Sequence, residues 1–343
     1  MAQSLELGLD TFGDITADAE GRPRPHAQII RDIVEEAVLA DTVGIDFFGV
    51  GEHHRPDFAV SAPEIVLGVI AGRTKRIRLG SATTVLSCDD PVRVFQRFAT
   101  LQAASSGRAE VVLGRGWFTE SFALFGYNVS QYDALFNEKL DLFAALLRQD
   151  TVTWSGKLRP PLKDQRIYPP LEGVPLKTWI AVGSTPDSVL RAAQYDLSLM
   201  IAAIGGNPRR FVPFVELYRQ AFAKLGRPPQ AIGAHAAGHV AETDAQAREE
   251  FWPDYKLYRD RIGDERGWPP IERAIFDAEV ERGSLYVGSP ETVARRIAAT
   301  AKTLSLSRFV LKYSVGALPH EKLLRSIELF GGKVGPLLRG MLN

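Results

Sequence analysis

The feature that most constrains this chain of 343 residues is a repeated alternation, in which short apolar runs are separated by longer segments with the 3.6-residue apolar period of helices. Eight such runs begin near Leu5, Phe47, Ile77, Ala109, Trp179, Leu197, Ala231 and Arg308. This is the pattern of parallel strands joined by crossover helices. No G-x-G-x-x-G fingerprint follows the first run, so the pattern predicts a closed α/β structure, a (β/α)8 TIM barrel, rather than an open doubly wound sheet. A barrel accommodates the whole chain, 1–343, as one domain. At the amino terminus Leu5, Leu7 and Leu9 alternate with polar or small residues, which reads as a strand and not a signal peptide.

Three helices are legible in detail. Ile29, Ile33, Ala37 and Ala40, with Ile30, Val34 and Val38, form one apolar face, and Gly44 supplies the stop. Asp90 and Pro91 are the N-cap and first residue of a second, ahead of Val94, Phe95, Phe98 and Leu101. Tyr132, Phe136, Leu140, Phe143 and Leu147 mark a third. Insertions are expected after strands 4, 5 and 7; an aromatic stretch follows Trp117, a proline-rich excursion at residues 151–175 comes before the fifth strand, and a mainly helical segment at 242–283 is the candidate lid.

Charge narrows the partners. Lys+Arg and Asp+Glu both number 41, so no net field attracts nucleic acid or an anionic membrane, and a small-molecule partner is expected. The basic run Arg73, Lys75, Arg76 and Arg78 falls at a helix end, where it complements the dipole. A single cysteine, Cys88, excludes an internal disulfide framework and a multi-cysteine zinc site, and suits a reducing cytoplasm. No run approaches the roughly 18 apolar residues of a membrane span, so a soluble cytoplasmic protein is expected.

In a barrel, chemistry sits just after the strands. The second is followed by Gly51-Glu52-His53-His54, the third by Gly80-Ser81-Ala82-Thr83-Thr84-Val85-Leu86, the fourth ends in Gly114-Arg115-Gly116-Trp117, and the fifth in Gly183-Ser184-Thr185-Pro186. Glycines on one rim let backbone approach a broad flat ligand such as a flavin. Arg115 is placed to meet a phosphate or an anionic reduced ring. Gly183-Ser184-Thr185-Pro186 has the form of an anion site at a helix amino terminus, but Gly288-Ser289-Pro290-Glu291 is nearly the same, and ordinary capping explains both. Imidazole moves protons near neutrality, and of the adjacent His53 and His54 at most one is expected to face the cavity while the other braces the loop. His235 and His239 lie in a strand-like run without zinc-site spacing, and no metal is expected. There is no nucleophile elbow, phosphate loop or second nucleotide fingerprint, so any reduced cofactor is expected to arrive from elsewhere. Phe118, Phe122, Phe125 and Tyr127 either wall a substrate pocket or pack internally.

Taken together, Gly51-Glu52-His53-His54, the Ser81 to Leu86 strand end with Pro91-Val92-Arg93, Gly114-Arg115-Gly116 followed by Glu120-Ser121-Phe122 and Phe125-Gly126-Tyr127, and Gly183-Ser184-Thr185-Pro186 resemble the bacterial luciferase-like monooxygenases. So do Gly288-Ser289-Pro290-Glu291 and Val315-Gly316-Ala317-Leu318-Pro319, and the resemblance runs nearly the full length. It implies a barrel, commonly dimeric, that binds FMN or a deazaflavin at the carboxyl rim. It places Ala82-Thr83 where the family often has a non-proline cis peptide under the flavin ring, and Arg115, Gly116, Gly183, Ser184 and Thr185 among the cofactor contacts. His53 matches the catalytic histidine, with His54 beside it. Gly114 stands where light-emitting members carry cysteine, so emission is not implied. The expected activity is oxygenation of a small organic substrate by O2 and reduced FMN, the latter delivered by a separate NAD(P)H:flavin reductase to a homodimer. Three alternatives are a deazaflavin-dependent hydride transfer, a barrel hydrolase pairing Glu52 with a second carboxylate, and a flavin-binding protein without turnover. The 242–283 segment has no residue-by-residue match, so the motifs do not name the substrate.

Overall fold

The computed structural model describes residues 5–18 and 20–342, so the first four residues of the amino-terminal strand reading lie outside the described ones. Eight parallel strands stand where the apolar runs place them: β1 (Glu6–Thr11), β2 (Phe47–Val50), β3 (Arg78–Ser81), β4 (Ala109–Gly114), β5 (Lys177–Val182), β6 (Ser198–Ala202), β7 (Ile232–Val240) and β8 (Arg308–Lys312). Each pairs with its sequence neighbour, and β8 returns to β1 with Leu9 opposite Leu311, which closes the barrel.

Alternation along the strands sorts side chains to two surfaces. Leu7, Leu9, Phe48, Val50, Val111 and Leu113 face out into the core shared with the helices. The inward residues form layers. At the amino-terminal end lie Glu6, Arg78, Glu110, Lys177 and Arg308, which are charged. The middle is a separate apolar cluster of Phe47, Val112, Trp179, Met200 and Val310. These large groups fit because glycine faces them: a Cβ on Gly80 would lie 2.8 Å from Phe47, and one on Gly233 2.8 Å from Met200. At the carboxyl end the inward residues are Asp10, Ala82, Gly114, Ala181, Ala202 and His235, mostly small, and the barrel opens there into a cavity of about 480 Å³.

Ten helices matter to the argument: α1 (His26–Thr42), α2 (Pro63–Arg73), α3 (Pro91–Ala104), α4 (Tyr132–Arg148), α5 (Pro186–Gln194), α6 (Val212–Lys224), α7 (Asp244–Arg266), α8 (Arg273–Arg282), α9 (Pro290–Leu304) and α10 (His320–Leu329). The Asp90 side chain caps α3 as its sequence predicts, accepting from Val92 N at 2.9 Å and Arg93 N at 3.3 Å. The long connection from β4 to β5 holds α4 and an antiparallel hairpin, Thr151–Trp154 with Leu162–Arg166, while 242–283 folds as α7 and α8. Only Gly183 to Thr185 separate β5 from α5, so no insertion follows strand 5, which corrects that expectation, while the proline-rich excursion precedes the strand as its sequence places it. Prolines deny the ladder its donors, which keeps this segment out of the barrel wall. The short strand Tyr286–Gly288, too brief to show a period, extends the sheet beside the far end of β7. Arg78, read as part of a basic helix end, instead turns inward to Glu110.

Glu110 is the centre of the charged layer. Arg308 meets it with two nitrogens at 2.6 and 3.0 Å, Trp179 Nε1 donates at 2.8 Å, and Arg78 donates as well. Burial alone would raise the Glu110 carboxyl; Arg308, with Lys177 and Arg78, outweighs it and holds the group at about 2. Breaking such a pair strands the opposing charge and costs about 3 to 5 kcal/mol. Urea unfolding of Glu110→Gln at neutral pH is therefore expected to show a loss of about 3 kcal/mol or more. A depressed carboxyl contributes stability above its unfolded value and loses it as pH falls through the folded one. The difference between wild type and variant should accordingly close as pH falls from about 4.5 towards about 2.

Candidate active site

The carboxyl-end cavity is walled by the loops after β2, β3, β4 and β5, floored by the inner barrel residues, and roofed by α7 and the segment after it. Ala82, Thr83, Arg115, Gly116, Gly183 and Ser184 all line it, as do both His53 and His54. Thr185 stands behind, its Oγ1 accepting from Arg115 Nη2 at 3.0 Å. The Ala82–Thr83 peptide is cis, as the family resemblance implies. The rim glycines act differently from the sequence expectation. A Cβ on Gly51 would meet Phe12 at 2.6 Å, one on Gly114 Thr83 Oγ1 at 2.5 Å, and one on Gly116 Val85 at 2.8 Å, so protein fills their space. Gly183 alone of these four opens onto nothing within 4 Å.

Both histidines reach the cavity because they sit in a loop beyond β2, where the strand's two-residue alternation no longer applies. They are placed unlike one another. His54 Nε2 donates to Glu52 Oε1 at 2.9 Å, and the other oxygen of Glu52 accepts from Val85 N at 2.8 Å, tying the β2 loop to the β3 loop. His53 is wedged among Phe12, Phe58 and Phe118, with ring centroids 4.6, 4.3 and 5.6 Å away, and its Nδ1 has no partner among the described residues. Burial pushes its imidazole down to about 3, assisted by the charges of Lys312, His54 and Arg55, so the ring is neutral at physiological pH.

At one end of the cavity cations gather. Arg115 lies 5.3 Å over the Tyr132 ring, whose hydroxyl donates to Gly116 O at 2.6 Å, and pairs with the exposed Asp133 at 2.8 Å. Thr185 caps α5, and its hydroxyl is spent on Arg115 and on Ser188 at 3.0 Å rather than on a backbone amide. Arg191, on the same helix, is held below the ordinary arginine range by burial first and by Arg115 next. Its Nη1 lies 3.4 Å from Ser188 Oγ, behind the cavity rather than in its lining. The matching Gly288-Ser289-Pro290 start of α9 is different: Asp244 already sits there, accepting from Ser289 N at 2.7 Å and Thr292 Oγ1 at 2.9 Å. Arg115 stands beside the α5 terminus, with Asp133 paired to it and Asp187 in the first turn, whereas at α9 the Asp244 carboxylate takes the terminal amide itself, so the α5 end suits an anion better.

The inner wall contributes two groups that sequence reasoning missed. Asp10 of β1 and His235 of β7 meet on the cavity floor at 2.6 Å, across 225 residues. Strand parity was the available signal, since both fall on the inward phase near their strands' carboxyl ends. His239, by contrast, is buried against Glu250 of α7 at 2.9 Å. Of the aromatics at 117–127 only Trp117 and Phe118 line the cavity, joined there by Tyr132; Phe122 packs with Val85, Cys88 and Leu135, and Tyr127 lies over Lys139 at 3.8 Å. Tyr258 of α7 and Trp268 complete the roof. The roof is fastened to the rim by Arg55 with Glu265, by Arg261 with Asp57 at 3.2 Å, and by Arg266, which donates to Trp117 O at 3.1 Å and lies 3.8 Å over its ring.

A family model described as luciferase-like monooxygenase matches residues 13–307. The N-acetyl-S-alkylcysteine monooxygenase of Bacillus subtilis is 27% identical over 312 residues, covering 85% of this chain and 89% of its own. Among solved structures, the oxygenating constituent of 3,6-diketocamphane monooxygenase from the CAM plasmid of Pseudomonas putida, in complex with FMN, superposes with a TM-score of 0.76 at 19% identity, covering 97% of this chain and 98% of that one. An F420-dependent secondary alcohol dehydrogenase, in complex with an F420-acetone adduct, does so with a TM-score of 0.74 at 17% identity, covering 98% and 99%. With the barrel, its carboxyl-end site and a family match over most of its length, the chain belongs to the luciferase-like monooxygenases and is an enzyme of the oxidoreductase class.

Proposed function

We propose that the chain is a flavin-dependent monooxygenase that takes reduced FMN as a co-substrate, together with O2, and oxygenates a small organic substrate. The observation that carries this reading is Arg115 at the α5 amino terminus, bound to Thr185 and lining, beside Gly183 and Ser184, a cavity large enough for a ring system. That end has the charge and donors of a phosphate site, and the Gly183 backbone leaves room for a chain leading from it. When bound, the reduced flavin supplies the two electrons that activate O2.

The chain's own groups supply the remainder. Arg115, with the Ser184 and Thr185 turn, holds the phosphate, and the Ala82–Thr83 backbone supports the ring. His53 offers a neutral, singly protonated imidazole in the cavity wall, so it hydrogen-bonds at the reacting face without adding charge. Glu52 fixes the orientation of His54. Trp117, Phe118, Tyr258 and Trp268 exclude water, and the Arg55, Arg261 and Arg266 contacts keep 242–283 in place as a lid. With no second nucleotide fingerprint in the sequence, a separate reductase provides the reduced flavin. Among the described residues no helix is long and apolar enough to cross a membrane.

The homodimer belongs to the same reading. Ile65 and Val69 on α2 are 71% and 51% exposed, and a Cβ on Gly68 or Gly72 would meet nothing within 4 Å. Spaced three and four apart, these residues make one apolar ridge whose glycines let a second helix approach closely. A second copy of the chain, related by a two-fold axis, covers it.

Two measurements test this reading. In anaerobic titrations with reduced FMN, Arg115→Ala should weaken binding about tenfold, the effect of one charge-assisted hydrogen bond. His53→Ala should instead cut turnover far more than affinity, and equal loss of both would count against a chemical role. Binding of F420 in preference to FMN would transfer the cavity to hydride transfer. For the assembly, light scattering of Val69→Glu should report a folded monomer where the wild type reports a dimer.

A further inference from the structure

Asp10 and His235 play no part in holding a flavin as argued above, yet they are polar groups set into a floor that is otherwise small or apolar. Asp10 is 2% exposed. Its Oδ2 accepts from His235 Nδ1 at 2.6 Å, and its Oδ1 has no partner among the described residues. A carboxylate only accepts, so this contact places a proton on Nδ1 and leaves Nε2 as the reactive nitrogen. Nε2 makes no hydrogen bond among the described residues, and His235 lines the cavity. Phe12 stacks on the imidazole at 5.9 Å, with Phe47, Met200 and Val310 nearby in the floor. The other ionisable groups of this region are His53 on Phe12, Lys312 over the Phe12 ring but bound to Asp14 at 2.8 Å, and Tyr258 and Arg210 from the walls. A carboxylate-backed imidazole facing an apolar cavity is the arrangement of a base waiting for a proton donor.

We propose that His235, oriented by Asp10, removes the proton of an acidic hydroxyl on the organic substrate, and that the substrate is therefore a phenol or an enol. This rests on the flavin reading above. An imidazole base is matched to hydroxyls titrating up to about 10, such as a phenol, and far from matched to an aliphatic alcohol. The walls agree, because Phe118, Trp117 and Trp268 line the cavity with aromatic surface that suits a planar unsaturated ring. Removing the proton places the oxygen's electron pair in conjugation with the ring or double bond and enriches the carbon that is to receive oxygen. The overall change balances: a substrate C–H, O2 and reduced flavin give a C–OH, one water and oxidised flavin. Reduced flavin is the two-electron donor, and the proton taken by His235 returns to the product's oxygen. His235 is the catalytic base and Asp10 a positioning residue.

The probe is 4-nitrophenol, whose ionised and neutral forms differ in visible absorbance, added to the purified chain without flavin and titrated with pH. Bound to wild type, its pKa should fall by about one unit or more relative to free probe. His235→Gln should abolish the shift and Asp10→Asn should reduce it, with the thermal midpoint of each variant reporting that it is folded. A structural role alone would move the midpoint and leave the bound probe's ionisation untouched. No binding or no shift in wild type overturns the proposal, as does a shift equal in wild type and both variants. Should His235→Gln fail to fold, an undiminished shift in Asp10→Asn overturns it on its own. Failure of wild type to bind reduced FMN, with the nitrophenol shift intact, would remove the flavin reading and leave the base, so the two claims fail separately.

Discussion

Glu110 has no access to solvent, and a carboxylate in that position persists only because Arg308, Arg78 and Trp179 surround it. The network joins β3, β4, β5 and β8 across the barrel axis and draws Glu6 of β1 in through Arg308 at 2.6 Å. Five of the eight strands are thus locked in rotation at one end. Above it the Phe47, Trp179 and Met200 layer seals the barrel, and the glycines opposite these side chains set the register at which they fit. With charge filling the base and aromatics the middle, the small residues of the third layer leave their volume open. The cavity exists because the layers below it are full.

Within that cavity the sheet and the loops divide the work. Loops after β2, β4 and β5 bring Glu52, His53, His54, Arg115 and the Gly183 turn to the sides, where they meet through long-range contacts such as Arg115 with Thr185. The barrel wall contributes Asp10 and His235 from below. Opposite electrostatic characters result: a cationic end at α5, a neutral aromatic face around His53, and a carboxylate–imidazole pair on the floor. An anionic cofactor and an ionisable substrate can occupy these regions without competing for the same groups.

The eight strands were legible because each is a short apolar run bounded by a helix of clear period, and Asp90 or Gly44 marked ends by chemistry that acts locally. The mouth residues Arg115, Ser184 and Thr185 were legible for the same reason: they follow strands directly. What was hidden depends on contacts across the chain. The Asp10 to His235 pair spans 225 residues. Arg191 looks like any helix-surface cation until Arg115 is seen beside it. The rim glycines were singled out for approach to a ligand, but Gly51, Gly114 and Gly116 accommodate Phe12, Thr83 and Val85. That purpose appears only when the loops are folded over one another. The two Gly-Ser-containing helix starts, alike in sequence, were separated only by what surrounds them, Asp244 at one and Arg115 at the other.

The most direct test of the account is a crystal structure of the chain with bound FMN. The account predicts the phosphate between Arg115 and the α5 amino terminus, the ring over the Ala82–Thr83 peptide beside His53, and the Asp10 to His235 floor still free for substrate. A phosphate bound elsewhere, or a ring lying across His235, would contradict it.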